Sequence, residues 1–281
     1  MISSFTVATS VEHALQLKRE AGSQGVFLAG GTEINRLGTQ LTGTIAISLA
    51  NLPIQSIEKD KNAVTIGTMA TLQRIIDTGF VPDYMKVACR FCASRTRRNM
   101  ATVGGNLALQ RDDSYLMPTV VAAKARLILA TLGPDGSIVE ENIPIREYLA
   151  FKDHFSDSLL LAIVLNKPTR FVSSKRIALT EQSMASVTVA LGSDLSSKEI
   201  HDVRLCTAVK GSGVFRIPEI EETIANGTYE PVDEPVVFSL PAVEFVDDFT
   251  GSATYKRYIL GTAIADLFRE CRAALGKGGQ T

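Results

Sequence analysis

Two glycine pairs carry the chemistry that the residue types of this chain can support. In Leu28-Ala29-Gly30-Gly31-Thr32-Glu33, the pair follows an apolar, strand-like run. Paired glycines let the backbone turn through left-handed angles and leave its amide N–H groups unshielded by side chains. Successive amides of this kind form an anion-binding concavity that a phosphate can approach. Thr32 adds a hydroxyl donor, and Glu33 offers an acceptor for a sugar hydroxyl. Ala101-Thr102-Val103-Gly104-Gly105-Asn106 repeats the design further along the chain. Two such turns facing one crevice suit a pyrophosphate-bearing cofactor, whereas each taken singly is also explained as a tight turn.

Other chemistries lack a starting residue. There is no Walker lysine loop, and Gly211-Ser212-Gly213 runs into Val214, Phe215 and Arg216 without the third glycine of a dinucleotide-binding turn. His13, His154 and His201 are scattered, with neither the spacing of a zinc hydrolase nor a nucleophile elbow nearby. No catalytic acid, base or nucleophile and no metal ligand set is therefore assigned. Cys89 and Cys92 are three apart, so on a helix they share a face and read as small buried hydrophobes. A redox or cluster-ligand role is the other reading, since nearby arginines would lower a thiol pKa.

The elements that must position these residues follow from the apolar pattern. Thr9 with Glu12 fits a capping box for a short helix ending near Gly22, followed by a buried strand at Gly25 to Ala29. After the first glycine pair, Ile34 to Gly38 reads as a short helix or loop and Thr44 to Leu49 as a strand, with Leu52 and Pro53 closing a small α/β unit. A second unit runs from a strand at Ala63 to Gly67 through helices at Leu72 to Asp77 and Met85 to Ala93. Arg90, Arg95, Arg97 and Arg98 then lead into the second glycine pair. A strand at Arg126 to Thr131 is turned by Gly133 to Gly136 into another strand, and Leu159 to Leu165 adds one more. Pro168 opens a third lobe, whose first half reads as helix before strands at Ser186 to Leu191 and Val203 to Val209. Pro218, Pro231, Pro235 and Pro241 punctuate a helix and a loop, Ser252 to Leu275 suits a long terminal helix, and Gly276 to Thr281 reads as a flexible tail.

Composition narrows the partners. The 281 residues include 29 Lys plus Arg against 30 Asp plus Glu, a formal net charge of -1, and 45% are hydrophobic. Near-neutrality lacks the basic excess of a protein held to phosphate backbones, and no apolar stretch approaches the roughly 20 residues that span a bilayer, so neither nucleic acid nor membrane is expected as a partner. The start MISSFTVATSVEHALQ lacks an export signal, and the four cysteines are too few for a disulfide scaffold, which together point to the cytoplasm.

Taken together and in order, AGGTEI (Ala29 to Ile34), IGTMATL (Ile66 to Leu72), RNMATVGGN (Arg98 to Asn106) and GSATYKRYI (Gly251 to Ile259) resemble the FAD-binding subunit of molybdenum hydroxylases. That family includes the medium subunits of carbon monoxide dehydrogenase and bacterial xanthine dehydrogenase. The resemblance implies an α+β chain: a vanillyl-alcohol-oxidase-type (PCMH-type) FAD-binding fold of two α/β subdomains over residues 1–168, divided at 1–56 and 57–168. A carbon monoxide dehydrogenase flavoprotein C-terminal-like domain, with a small antiparallel sheet and helices, would follow over 169–281.

By motif, the resemblance implies that Leu28, Ala29, Gly30, Gly31, Thr32, Glu33 and Ile34 hold the pyrophosphate and adjoining ribityl chain of FAD, and that Ala101, Thr102, Gly104, Gly105 and Asn106 close over it. It implies an electron-transfer subunit, xanthine dehydrogenase-like, that takes electrons from 2Fe–2S clusters through FAD to NAD or another acceptor. Its partners would be an iron–sulfur subunit and a molybdopterin-binding subunit. The isolated chain would have at most an NADH:acceptor activity, and the organic substrate would be chosen elsewhere. A stand-alone flavin reductase or oxidase of the same fold, and a cofactor-free interaction subunit, are the alternatives.

Three departures from the family pattern stand out. Where many members carry an aspartate three residues before Pro118, this chain has Tyr115, with Asp112 and Asp113 nearby as substitutes or as surface residues. Where xanthine oxidoreductases place a lysine near the flavin ring, the stretch from Met184 to Val187 offers Ser186. There is no cysteine-rich insertion for an extra cluster. The arginine group at Arg90 to Arg98 is a candidate docking face or a solvated helix end.

Overall fold

The computed structural model describes residues 2–34, 43–92, 94–196, 199–231 and 243–277. The chain forms two compact units, each assembled from separate stretches. The first comprises 1–80, 94–109 and 125–166, and the second 81–93, 110–124 and 167–281.

In the first unit, β1 (Ser4–Val7), α1 (Val11–Ala21), β2 (Gly25–Leu28) and β3 (Ile45–Ser48) make a parallel sheet of order β1-β3-β2. Ser4 and Gly25 both register against Ile45. Helix α1 is capped by Ser10, whose Oγ accepts from the His13 N–H at 3.0 Å, one residue later than the expected Thr9; Thr9 instead meets His13 Nδ1 at 2.9 Å. The helix ends at Gly22, whose φ of +53° only glycine adopts without strain. Ala14 and Leu15 bury against Ala8, Ile47, Leu49 and Leu52, and the cluster extends to Ala130 and Leu159 of a second sheet.

That second sheet contains β4 (Ile57–Lys59), β5 (Val64–Gly67), β6 (Arg126–Leu132), β7 (Ile138–Pro144) and β8 (Leu159–Leu165), in the order β4-β5-β8-β6-β7 with every pairing antiparallel. The continuous run LLLAIVL suits β8 to the centre of the sheet, while β7 carries Glu140 and Glu141 along an exposed edge. Between these strands lie α2 (Leu72–Asp77), α4 (Arg95–Met100), α5 (Val103–Leu109) and α7 (Ile145–Ala150), with α3 (Asp83–Arg90) and α6 (Met117–Ala122) belonging to the second unit. Helices α4 and α5, and strand β1, are elements that apolar periodicity did not reveal.

The second unit is built on an antiparallel sheet of β9 (Phe171–Ala178), β10 (Ala185–Ser196), β11 (Glu199–Val209) and β12 (Gly213–Arg216), ordered β12-β11-β10-β9. The expectation of helix in the first half of this lobe is therefore wrong: Phe171–Ala178 is a strand. All eight of its positions are only partly buried, because Lys175 pairs with Glu270 at 3.0 Å and Arg176 donates to the Ser183 carbonyl, so polar residues occupy both faces and mask the alternation. One sheet face, with Val187, Val189, Leu191 and Leu205, packs against α8 (Pro218–Ala225) and α9 (Ala253–Lys277) through Ile220, Leu260, Ile264 and Leu267. On the other face, a Cβ at Gly192 would lie 2.0 Å from the Ala122 carbonyl oxygen, so glycine permits the close approach of the end of α6. Of the expected elements, residues 35–38 of the Ile34 to Gly38 segment, Pro235 and Pro241, and residues 278–281 of the tail lie outside the described residues, whereas α9 continues through Lys277.

Candidate functional site

The first glycine element leaves the end of β2. Leu28, the last residue of β2, pairs with Ser48 and the chain turns at once. A Cβ on Gly30 would lie 1.9 Å from the Met100 carbonyl oxygen, so this position is glycine because the backbone of α4 presses on it. Gly31 has φ +67°, the left-handed angle that reverses the chain. Thr32 and Glu33 form the following turn. Among the described residues, the N–H groups of Gly30, Gly31 and Thr32 have no hydrogen-bond acceptor. Three consecutive unanswered amides on a glycine turn are the donor set an anion requires. Glu33 is held by an ion pair with Arg97 Nη2 of α4.

The second element is built on a different principle. Residues 101–104 lie along 68–72: Leu72 N–H donates to the Ala101 carbonyl at 2.9 Å, Val103 N–H to Ala70 at 3.1 Å and Gly104 N–H to Thr68 at 2.9 Å. Thr71 and Thr102 form an isolated antiparallel bridge. Thr68 is buried and in turn donates its N–H to Leu161 at 3.0 Å and its hydroxyl to Leu160 at 2.6 Å, which fixes the glycine element to β8. A Cβ at Gly104 would lie 2.5 Å from the Thr68 Cβ, so Gly104 serves close packing and its amide is already committed. Thr102 caps α5, its Oγ1 accepting from Gly105 N–H at 3.2 Å and its carbonyl from Asn106 N–H at 3.2 Å.

The two elements meet. A Cβ on Gly105 would come within 3.9 Å of the Ala29 Cβ, and Gly30 abuts Met100 and Ala101. Ala29, Gly30, Ala101 and Gly105 thus share one seam in the first unit, with the open amides on the first turn and Gly105 facing it from the second element. Asn106, one residue beyond Gly105 in α5, has its Oδ1 buried without a hydrogen-bond partner among the described residues, which a native interior rarely tolerates unless a ligand or water completes it. Unanswered amides, an orphaned buried oxygen and glycine faces without side chains fit the diphosphate and sugar of FAD. Thr68 and Arg97 are contributors that motif spacing alone did not single out, although Thr68 lies inside IGTMATL.

The remaining candidates lie in the second unit. Asp112 accepts two hydrogen bonds from Lys210 Nζ, at 2.8 and 2.7 Å, and one from Gly211 N–H at 3.0 Å, whereas Asp113 pairs with Arg111 at 2.6 Å. Burial pushes the Asp112 carboxyl up, but Lys210, the Gly211 amide and Arg111 together hold it below the usual carboxylate range. Ser186 is buried and donates to the Thr250 carbonyl at 2.7 Å, immediately before the GSATYKRYI stretch. Within that stretch Lys256 is fully buried: its Nζ donates to the carbonyls of Lys210 and Val246, each at 2.9 Å, and pairs with Asp248 at 2.8 Å.

Cys89 lies in α3 and Cys92 just beyond it; both are buried and outside any disulfide, as are Cys206 and Cys271. Among the described residues no group of three or more His, Cys, Asp or Glu side chains could hold a metal ion. The arginine group divides: Arg90 ends α3 in the second unit, while in the first Arg97 pairs with Glu33 and Arg98 Nε donates to Gln73 Oε1 at 3.0 Å. No described helix is long and apolar enough to cross a membrane.

Comparison with known proteins places this geometry. Residues 2–167 match the family model for the FAD-binding domain in molybdopterin dehydrogenase. The chain is 32% identical over 275 residues to the Escherichia coli protein YgfM, described as uncharacterized, with 98% of each chain covered. It is 24% identical over 277 residues to the alpha subunit of the 6-hydroxypseudooxynicotine dehydrogenase complex of Paenarthrobacter nicotinovorans, covering 92% of this chain and 91% of that one. Its fold is similar to that of a chain of carbon monoxide dehydrogenase from Oligotropha carboxidovorans (TM-score 0.82, 17% identity, 97% and 98% covered). It is similar also to a chain of quinoline 2-oxidoreductase from Pseudomonas putida 86 (TM-score 0.79, 14% identity, 100% and 99% covered). The match over more than half of its length and the seam between its two glycine elements lead to one conclusion: the chain belongs to the FAD-binding family of the molybdopterin dehydrogenases, and its cofactor is FAD.

Proposed function

We propose that this chain is the electron-transfer subunit of a molybdenum hydroxylase, xanthine dehydrogenase-like in taking electrons from an iron–sulfur partner and delivering them to NAD or another acceptor. The observation that carries the reading is the row of unanswered amides at Gly30, Gly31 and Thr32, on the turn that Gly105 of the second glycine element meets at Ala29. FAD supplies the redox chemistry when bound, exchanging single electrons on one side and hydride on the other. The chain's own residues bind and orient it. The first turn donates to the diphosphate, Asn106 Oδ1 accepts from a hydroxyl or amino group of the cofactor, and Ala29, Ile34 and Ala101 line the seam. With no acid, base or nucleophile assigned, substrate oxidation belongs to a molybdopterin-binding partner.

In this reading residues 1–168 are the cofactor-holding part and 169–281 the carbon monoxide dehydrogenase flavoprotein-type part, although 81–93 and 110–124 pack with the latter. The relative named as a complex subunit supports a partnered role. The test is affinity purification of the tagged chain from its native host. The proposal expects FAD in the eluate, together with an iron–sulfur polypeptide and a molybdopterin-containing one. A flavin-loaded chain that elutes alone and turns over a substrate unaided would replace it with a self-sufficient flavin enzyme.

A further inference from the structure

Glu33 is the acidic side chain of the turn that presents its amides to an anion, and its neighbourhood shows how that conflict is resolved. Its carboxylate is largely buried, 16% exposed, and is paired with Arg97, which remains 44% exposed. Arg97 lies one helical turn before Ala101, whose N–H donates to the Arg97 carbonyl at 2.7 Å, and close in sequence to Met100, the backbone that presses on Gly30. The ion pair therefore crosses the same seam as the glycine contact, linking the first glycine turn to the helix that leads into the second. A carboxylate this close to a bound diphosphate repels it, because unscreened charges within about 10 Å interact strongly.

We infer that Arg97 is a positioning and charge-compensating residue of the cofactor seam: by pairing with Glu33 it cancels the acidic charge beside the amide turn, so that the turn accepts a dianionic diphosphate. This inference rests on the FAD reading of the seam. It makes Arg97 act through Glu33, with no contact of its own to the phosphate required, and that distinction can be measured. FAD is titrated into the full chain by quenching of flavin fluorescence, for the wild type, R97M, R97K, E33Q and the double variant R97M/E33Q, at low and at high salt. Far-UV circular dichroism confirms that each is folded.

The inference expects R97M to weaken FAD binding by roughly tenfold at low salt and by less at high salt, as screening reduces the Glu33 charge that Arg97 no longer offsets. R97K keeps the charge and stays within roughly threefold of wild type, and E33Q in the R97M background recovers the affinity to within roughly threefold. R97M binding FAD as tightly as wild type would overturn the inference alone. So would a double variant as weak as R97M, because Arg97 would then act on the phosphate itself or on the fold. A folded wild type that binds no FAD would instead overturn the cofactor reading of the seam.

Discussion

A side chain at residue 30 collides with the Met100 carbonyl at 1.9 Å, whereas one at residue 105 meets first a hydroxyl, Thr102 Oγ1, at 3.0 Å, and then nothing nearer than the Ala29 Cβ at 3.9 Å. Replacement of Gly30 therefore tests packing and ligand access together. Replacement of Gly105 separates them better, because its one close neighbour is the Thr102 hydroxyl that caps α5, so the packing cost is confined to that cap. Gly105→Val is expected to lower unfolding free energy by no more than about 2 kcal/mol, the worth of the Thr102 cap, while weakening FAD binding by roughly tenfold or more. Chemical denaturation and a flavin titration on the same preparation check both halves. An unchanged FAD affinity would mean that the cofactor does not lie against this face of α5.

At the scale of elements, the lysine inside the terminal helix organises its surroundings. Lys256 Nζ holds the Lys210 and Val246 carbonyls and the Asp248 carboxylate, and Asp248 Oδ1 also accepts from the Thr250 N–H and hydroxyl at 2.7 and 2.6 Å. Burial raises the Asp248 carboxyl, but Lys256 and Thr250 more than offset this and leave it below its ordinary value. A carboxyl depressed in the folded state stabilises the fold above its unfolded pKa of about 3.9, and that stabilisation is lost as pH falls through the lower folded value. Asp248→Asn is accordingly expected to cost about 3 kcal/mol at neutral pH, since it leaves Lys256 buried beside a neutral amide, and to flatten the loss of stability on acidification. Urea unfolding at a series of pH values gives both quantities. An Asp248→Asn chain with wild-type stability at neutral pH would remove this lysine cluster as an organising feature.

The same scale shows what could be read in the chain and what could not. Leu72–Asp77 and Leu159–Leu165 lie where periodicity and a continuous apolar run put them. Phe171–Ala178 does not, because its charged residues are answered by α9, far along the chain, and by the Ser183 carbonyl across the turn into β10, so polar residues interrupt the alternation. Helices α4 and α5 escaped because RTRRNM has no apolar stripe and the glycine pair sits inside α5; tertiary hydrogen bonds from 68–72, not propensity, fix that segment. The glycine pairs themselves were legible as close-approach positions. Their division of labour was not, since the commitment of the Gly104 amide to Thr68 and the openness of those at Gly30 to Thr32 depend on contacts between stretches far apart in the chain.

At the scale of the whole molecule, a net charge of -1 accords with a cofactor held by backbone donors in place of a basic patch. The family match over residues 2–167 agrees with a chain whose redox chemistry is that of a bound flavin. The most direct test of the central claim is the visible absorption spectrum of the purified chain during titration with FAD. Saturation at one FAD per chain, with a perturbed flavin band and an affinity that Gly105→Val reduces, is the predicted result. A folded chain that leaves the flavin spectrum unperturbed at micromolar FAD would contradict the account.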